Sequence, residues 1–531
     1  MWSRLYGSNH ANFDAVFKNF SRHYAKKFVH AARRKRKIIN PEPEVKRSGI
    51  PIITCKRSSF NFYKGDRYDK WNPVLASQSW NNKSSRGDYF YIHPYDINNN
   101  DTEEQTGIGK FEDLNLDSQL CERLEDLGFE CPLEIQNLTI PKILKGCNAV
   151  VAAETGCGKT LAYMLPLITK VLRWKEMEKR DMNCPLGLIV TPSRELAVQL
   201  GLELIRLSKC LGINTKLITG GRTKKMMRDP PVGNVDILVC SFGVISKLST
   251  IGIYNVKSVK FVVLDEADAL LHETFEEKLQ VFLKRIPIGY HQTSSVDTLP
   301  TSAQLILASA TIPSRLETVL GKIVNVNSLE NITTDKLHKI LVLQKFMRLG
   351  PSQKAVELLK YIKPKVLKNQ PVIVFSNQAD TSYWVCKFLH QCGVEATNLS
   401  GEMSLYERRG KYGEFINGTT KVLSTTNAGS RGLDTVMVNH ILNYEFPLDT
   451  SDYIHRCGRT GRIGTVGECR VTNFISKPGE IVVVQKIEKA VRKMKPFPIF
   501  NLVNKQEQEV EEEDYTDEPI ENLDSVDHIP Y

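Results

Sequence analysis

The sequence is short of several things that would narrow its class in other directions. No apolar run approaches the roughly 18 residues that cross a bilayer as a helix, which excludes a membrane-spanning helix. Its twelve cysteines include no C-x-x-C pair, so neither a zinc site nor a thioredoxin-like motif is indicated. Cys147 and Cys240 lie in or beside apolar runs, where thiols read as reduced and structural, and a reducing compartment fits. Acids are nearly missing from residues 1–40, where ten Lys/Arg face Asp14 alone. Basic residues are missing from 506–531, which carries eleven acids and no Lys or Arg. The formal net charge of +11 therefore averages a basic start, an acidic end and a moderately positive middle. That middle is compatible with a polyanionic partner without proving one.

What is present is the composition of a soluble globular protein, 41% hydrophobic and 25% charged. At 531 residues, two or three domains are expected. Phe13, Phe17, Phe20, Tyr24 and Phe28 recur at helical steps, with Lys18, Arg22 and Lys26 on the opposite face. Such a basic amphipathic helix in 1–40 reads as a mitochondrial targeting segment, while "RRKRK" at 33–37 keeps a nuclear address open. A secretory signal is excluded because its apolar core is missing. Residues 41–105 are rich in Asn, Ser, Pro and Lys and read as a linker or partly ordered arm. Its aromatics, Trp71, Trp80, Tyr89, Phe90 and Tyr91, could stack on RNA bases or simply tack the arm to the body.

From 106 the pattern becomes regular. "AVVAA", "LGLIV", "TKLITG", "DILVC", "KFVVLD" and "LILASA" are buried-strand runs separated by amphipathic segments. The pattern restarts after about 330 with "PVIVF", "ATNLS", "KVLST", "HILNYEF" and "CRVTNF". Alternation of this kind predicts an α/β chain with two doubly wound parallel-sheet domains in tandem, over 106–330 and 331–500. The acidic segment 501–531 has little to bury and is expected to be a disordered tail.

Two segments carry the chemistry. "AAETGCGKT" at 152–160 places Gly156, Gly158, Lys159 and Thr160 between a strand and a helix, as a phosphate-cradling loop needs. Ala153 stands where the strict pattern has glycine, and it is small enough. "FVVLDEAD" at 261–268 puts Asp265 and Glu266 at a strand's carboxyl end. Asp265 would organise a Mg²⁺ shell together with Thr160, and Glu266 would orient and deprotonate the attacking water. Two such acids alone are often a solvated turn. About a hundred residues after a phosphate loop, they complete a nucleotide site.

With "DEAD" at 265–268, "SAT" at 309–311 and "HRCGRTGR" at 455–462, the chain resembles the DEAD-box RNA helicases of superfamily two over about 106–500. The resemblance implies two RecA-like domains, an RNA-stimulated ATPase, ATP and Mg²⁺ as ligands, and RNA as the partner. It implies that Gln136 of "GFECPLEIQ" reads the adenine edge while Phe111 stacks on the ring. Ala153, Glu154, Thr155, Gly156, Cys157, Gly158, Lys159 and Thr160 would form the phosphate loop, and Gly432 and Asp434 would face the ribose. Pro192, Ser193 and Arg194, Gly220 and Gly221, and Ser241 and Gly243 would grip RNA from the first domain. Arg408, Thr426 and Gly429 would do so from the second, all through backbone contacts that carry no sequence. Arg459 and Arg462 would serve as arginine fingers on the γ-phosphate. Asp268, Ser309, Thr311 and His455 would couple the two domains. Four positions depart from the family pattern: Leu133, Val244, Leu405 and Asn427.

Outside these motifs, "LASQSW", "AAETGCGKTLAY", "DEADALLHETFEE", "KLHKI", "SRGLDT" and "VVQKIEKAVRK" resemble the mitochondrial DEAD-box helicase twenty-eight group. That likeness implies a monomer in the mitochondrial matrix, with the nucleus or nucleolus as the alternative. It further implies action on ribosomal RNA during large-subunit assembly, with assembly factors as partners. An ATP-gated RNA clamp that does not unwind productively is the rival reading.

Overall fold

The computed structural model describes residues 49–502, apart from 65, 67–72, 95–108, 178, 222, 231, 290–298, 314, 335–341, 402, 404, 431, 432, 434, 463, 464, 466 and 496. Residues 1–40, expected to be a targeting segment, Trp71, Gly432, Asp434 and residues 503–531 of the expected acidic tail lie outside the described residues, as does the side chain of Leu405.

Two parallel sheets dominate. The first has seven strands: β4 (Ala149–Ala152), β5 (Gly187–Thr191), β6 (Thr215–Ile218), β7 (Ile237–Ser241), β8 (Phe261–Asp265), β9 (Gln304–Ser309) and β10 (Glu330–Thr333). Their order is β10-β4-β9-β8-β5-β7-β6, parallel throughout. Helices cover both faces, so β5, β7 and β8 are buried at every position and polar only at their last residue. One core lies between the sheet and the helices Glu134–Leu144, Lys159–Trp174 and Arg194–Ser208. The other lies beneath Phe242–Thr250 and Glu276–Leu283.

The second sheet contains β11 (Leu343–Arg348), β12 (Val372–Phe375), β13 (Ala396–Leu399), β14 (Val422–Thr425), β15 (His440–Asn443) and β16 (Arg470–Ile475). These six are parallel, in the order β13-β14-β12-β15-β16-β11. Beyond β11 the order continues with β3 (Tyr89–Ile92), β1 (Pro51–Cys55) and β2 (Phe62–Tyr63), all antiparallel. These three strands lie within 41–105, expected to be a linker or partly ordered arm, and they extend the second sheet. Trp80, Phe90 and Phe346 anchor it, with Trp80 and Phe90 ring centres 5.5 Å apart and Phe90 stacked on Phe346 at 5.1 Å. Glu488 closes the joint: its carboxylate accepts from the Ala76 and Ser77 amides and the Ser77 hydroxyl, and pairs with Arg492 at 2.7 Å. Polar composition hid these strands because only one face of each is buried. No described helix is long and apolar enough to cross a membrane.

Candidate nucleotide site and RNA-facing cleft

The loop after β4 turns twice through left-handed backbone, at Gly156 (φ +85°) and Gly158 (φ +96°). A side chain at 158 would also run into Gln136 Nε2 at 2.7 Å and Leu133 Cδ1 at 2.8 Å, so glycine is required there on two counts. Helix Lys159–Trp174 follows at once, directing its N-terminal amides at the loop. The Lys159 ammonium lies across the loop and donates to the Ala153 and Glu154 carbonyls at 2.5 and 2.7 Å.

Leu133 caps helix Glu134–Leu144 and, lacking a hydroxyl, offers no side-chain acceptor. Gln136 compensates. Its Oε1 accepts from the Leu133 amide at 2.9 Å, and its Nε2 donates to Gly158 O at 3.2 Å. One N–H and one lone pair of that amide remain for a ligand. Phe111 sits in the turn Phe111–Leu114 and is buried in the first core.

The acids come next. Asp265 ends β8, where its Oδ2 accepts from Tyr163 OH at 2.8 Å and its Oδ1 from the Glu266 amide at 2.9 Å. Burial, and then the neighbouring Glu266 charge, push Asp265 up to about 6. Glu266 adopts left-handed backbone (φ +49°) and turns its carboxylate towards the second domain, where Arg459 Nη2 lies 3.7 Å away. Tyr163 was not foreseen, although it stands one helical turn after Lys159, a spacing that puts both on one face.

The two domains meet at several points of this site. Asp268 Oδ2 accepts from Thr311 OH at 2.9 Å, His455 Nε2 at 2.8 Å and Ser451 OH at 3.1 Å. Burial would raise Asp268, but His455 and the Thr311 and Ser309 hydroxyls hold it well below the usual carboxylate range. Burial would likewise lower His455, but the Asp268 carboxylate raises it. Ser309 Oγ accepts from the Thr311 amide, and Ser309 O from the Ala153 amide, tying "SAT" to the phosphate loop. Gly458 packs so closely on the loop that a Cβ there would fall 1.5 Å from Thr155 Oγ1. Arg462 crosses Gly156, with its Cγ 3.1 Å from where a Cβ would stand, and its Nε donates to Gly458 O. Arg459 also donates to Leu433 O at 3.1 Å.

The expected RNA-side residues gather along the same cleft with unequal freedom. Ser193 caps helix Arg194–Ser208 by accepting from the Leu196 amide, directly after Pro192. The Arg194 guanidinium lies over Gly220 and beside Gly221. Ser241 ends β7 and Gly243 is exposed one residue into the next helix, but Val244 is buried at 1% exposure. Arg408 donates to Ser400 O and Gly429 O and pairs with Glu195 across the cleft at 3.1 Å. Thr426 Oγ1 accepts from the Gly429 amide at 3.3 Å. Asn427 holds Arg456, whose guanidinium is fully buried and donates to Asn377, Asn427 and Asn443 side chains and Glu445 O. Burial lowers Arg456 to about 10.

Two RecA-like parallel-sheet domains facing each other across a phosphate loop define a nucleoside triphosphatase of the helicase class. A family model described as DEAD/DEAH box helicase matches residues 133–319, and one described as Helicase conserved C-terminal domain matches 353–464. Probable ATP-dependent RNA helicase DDX28 of Mus musculus is 34% identical over 470 residues, 86% of this chain and 87% of that protein. ATP-dependent rRNA helicase RRP3 of Gibberella zeae is 31% identical over 360 residues, 67% of this chain and 69% of that protein. In fold, the chain is similar to S. cerevisiae Dbp5 bound to RNA and ADP BeF3, at TM-score 0.59 and 23% identity, covering 73% of this chain and 93% of that one. The chain belongs to the DEAD-box family of ATP-dependent RNA helicases. It is an ATP-binding, RNA-binding helicase.

Proposed function

We propose that ATP binding closes the two domains on RNA, that closure strains and locally separates a short duplex, and that hydrolysis allows reopening. The observation that carries this reading is the meeting of both domains at the phosphate loop: Gly458 on Thr155, Arg462 on Gly156, and Arg459 beside Glu266. Lys159 and the loop amides would hold the phosphates, and Glu266 would orient the water. Arg459 and Arg462 would neutralise charge building on the γ-phosphate. Asp265, buried at the end of β8 and pushed up to about 6, and the half-buried Thr160 of the helix after the phosphate loop are hard oxygen donors, so a divalent cation fits. Mg²⁺, held there largely through water, would supply charge neutralisation on the phosphates. Gln136 would read the adenine edge with its remaining N–H and lone pair while steadying Gly158 with the others. The Asp268–His455–Thr311 contact would report closure between domains.

The substrate is ribosomal RNA of the mitochondrial large subunit. Support comes from the basic amphipathic pattern of 13–28, from the likeness to a DDX28 protein over most of both chains, and from a relative named as an rRNA helicase. Crosslinking the protein to RNA in cells and sequencing the RNA tests this; recovery of only nuclear transcripts would overturn it. A reporter carrying residues 1–40 should enter mitochondria even with "RRKRK" replaced. A clamp that grips without unwinding has its own support: Val244 is buried and supplies no cation, and Arg408 is engaged by Glu195, Ser400 and Gly429. ATP turnover without strand separation on short duplexes would favour the clamp.

A further inference from the structure

Of the aromatics in 71–91, Trp80 and Phe90 serve the core. Tyr89 and Tyr91 do not. Alternation along β3 turns them to the opposite face, where both are partly exposed. Tyr91 stands beside Thr54 of β1 and Lys345 of β11, and Tyr89 beside Met347. The two rings meet edge to face at 5.6 Å. Lys345 Nζ lies 4.7 Å from the Tyr89 ring centre and 5.4 Å from that of Tyr91, and the Arg470 guanidinium lies 5.9 Å from Tyr91. Helix Lys354–Leu367 borders this shelf and adds Lys365, set 3.7 Å from the ring of Tyr361.

The shelf is rich in cations and poor in counter-charge. Among the described residues neither Lys345 nor Lys365 has a carboxylate partner within ion-pair distance. Among the same residues Arg470 has only the exposed Glu468, at 2.9 Å, and nearby Glu357 is taken by Lys360. Burial, and then Arg470, Lys345 and Lys368, lower Lys365 to about 8. Burial and Arg470 also lower Lys345, against the opposing pull of Tyr89 and Glu357. Cations held together at this cost are relieved by an arriving anion. The shelf is separate from the cleft: the nucleotide and RNA-side loops follow the carboxyl ends of the strands, whereas Arg470 opens β16 and Tyr91 and Lys345 lie mid-strand on the sheet face.

We propose that Tyr89, Tyr91, Lys345, Lys365 and Arg470 form a second RNA-binding surface for single-stranded RNA, stacking unpaired bases on the tyrosines and pairing phosphates with the cations. Aromatics interleaved with cations suit this ligand because every base has a stacking face and every nucleotide a charge. The surface rests on the family's RNA binding, and it would hold a flanking strand while the cleft opens and closes.

The test uses the full chain with long poly(U) and with a short oligouridine that fills only the cleft. Without nucleotide, Lys345→Gln with Arg470→Gln should weaken poly(U) binding about tenfold and reduce the salt slope by about 1 to 2. Tyr91→Leu should also weaken it about tenfold, and Tyr91→Phe should retain wild-type affinity. Short oligouridine with a non-hydrolysable ATP analogue should bind every variant as it binds the wild type, which checks the cleft and the fold separately. Unchanged poly(U) affinity and salt slope overturns the proposal, as does equal loss in Tyr91→Phe and Tyr91→Leu. Parallel loss of short oligouridine binding overturns it too, by placing the effect in the cleft or the fold. Variants that bind RNA normally but lose a protein crosslink would assign the shelf to a protein partner instead.

Discussion

The two sheets solve the same architectural problem with different materials. The first is parallel from edge to edge and is built from one continuous stretch of chain, 149–333. The second is a six-stranded parallel sheet enlarged by three antiparallel strands that precede the first domain in sequence. The first carries the phosphate loop and the acids; the second brings histidine, arginines and a bare glycine to meet them. The chain thus passes from the second domain's sheet to the first domain and back, so two stretches of chain join the domains. Chemistry sits at the ends of the strands in both, and the second also has a sheet face where Tyr89 and Tyr91 lie beside Lys345 and Arg470.

The largest effects should come from the first domain. Lys159→Ala should abolish ATP turnover, and Glu266→Gln should retain ATP and RNA binding while stalling hydrolysis. RNA-stimulated ATPase near the wild-type rate in either variant would sink the assignment. Next is the second domain's contribution. Arg459→Ala should lower hydrolysis on the order of 10³-fold while leaving nucleotide affinity largely intact. Loss of affinity with normal hydrolysis at saturation would make Arg459 a ground-state binder instead.

Gly458→Ala separates closure from chemistry. Its backbone (φ −72°) accepts any residue, so the only penalty is the collision with Thr155. RNA-stimulated turnover should drop about tenfold, consistent with the usual 1–3 kcal/mol for an overpacked contact, while each domain stays folded. Unaltered stimulation would mean that the domains do not approach so closely during turnover.

Glu488→Ala probes the added strands alone. It leaves Arg492 buried without its carboxylate and frees Ser77, so the second domain should lose about 3 kcal/mol while the first is untouched. Hydrogen exchange should quicken over 51–92 and 478–492 and not over 149–191.

The smallest effect concerns pH. Burial would lower the His455 pKa, but Asp268 raises it above its ordinary value, so its support for closure is complete below about 6.5 and fades as pH rises through the raised value. Apparent RNA affinity with ATP should weaken gradually over that rise. Asp268→Asn should flatten the profile, and an unaltered profile in that variant would exclude this pair as the titrating group.

Strands buried on both faces were legible because parallel pairing needs continuous apolar runs, as in "KFVVLD" and "LILASA". β10 and β11 were not. β10 is an edge with a single buried residue, and β11 alternates Lys345 and Met347 with Phe346 and Arg348. The glycines, lysine and acids of the site were legible for a similar reason, since a phosphate loop is a local object. Contacts made across the cleft left weaker traces. Nothing in "PSRELA" announces that Glu195 meets Arg408, nor in "GRTGR" that Gly458 meets Thr155.

Sequence alone determined the two-domain α/β organisation, the phosphate loop and the acid pair, because each depends on neighbours within a strand and its following turn. Only the tertiary structure decided that Pro51–Cys55, Phe62–Tyr63 and Tyr89–Ile92 belong to the second sheet, that Tyr89 and Tyr91 turn away from the core beside Lys345 and Arg470, and that Gly458 and Arg462 pack on Thr155 and Gly156. Those outcomes rest on pairing and packing between residues hundreds of positions apart, which no local period or propensity encodes.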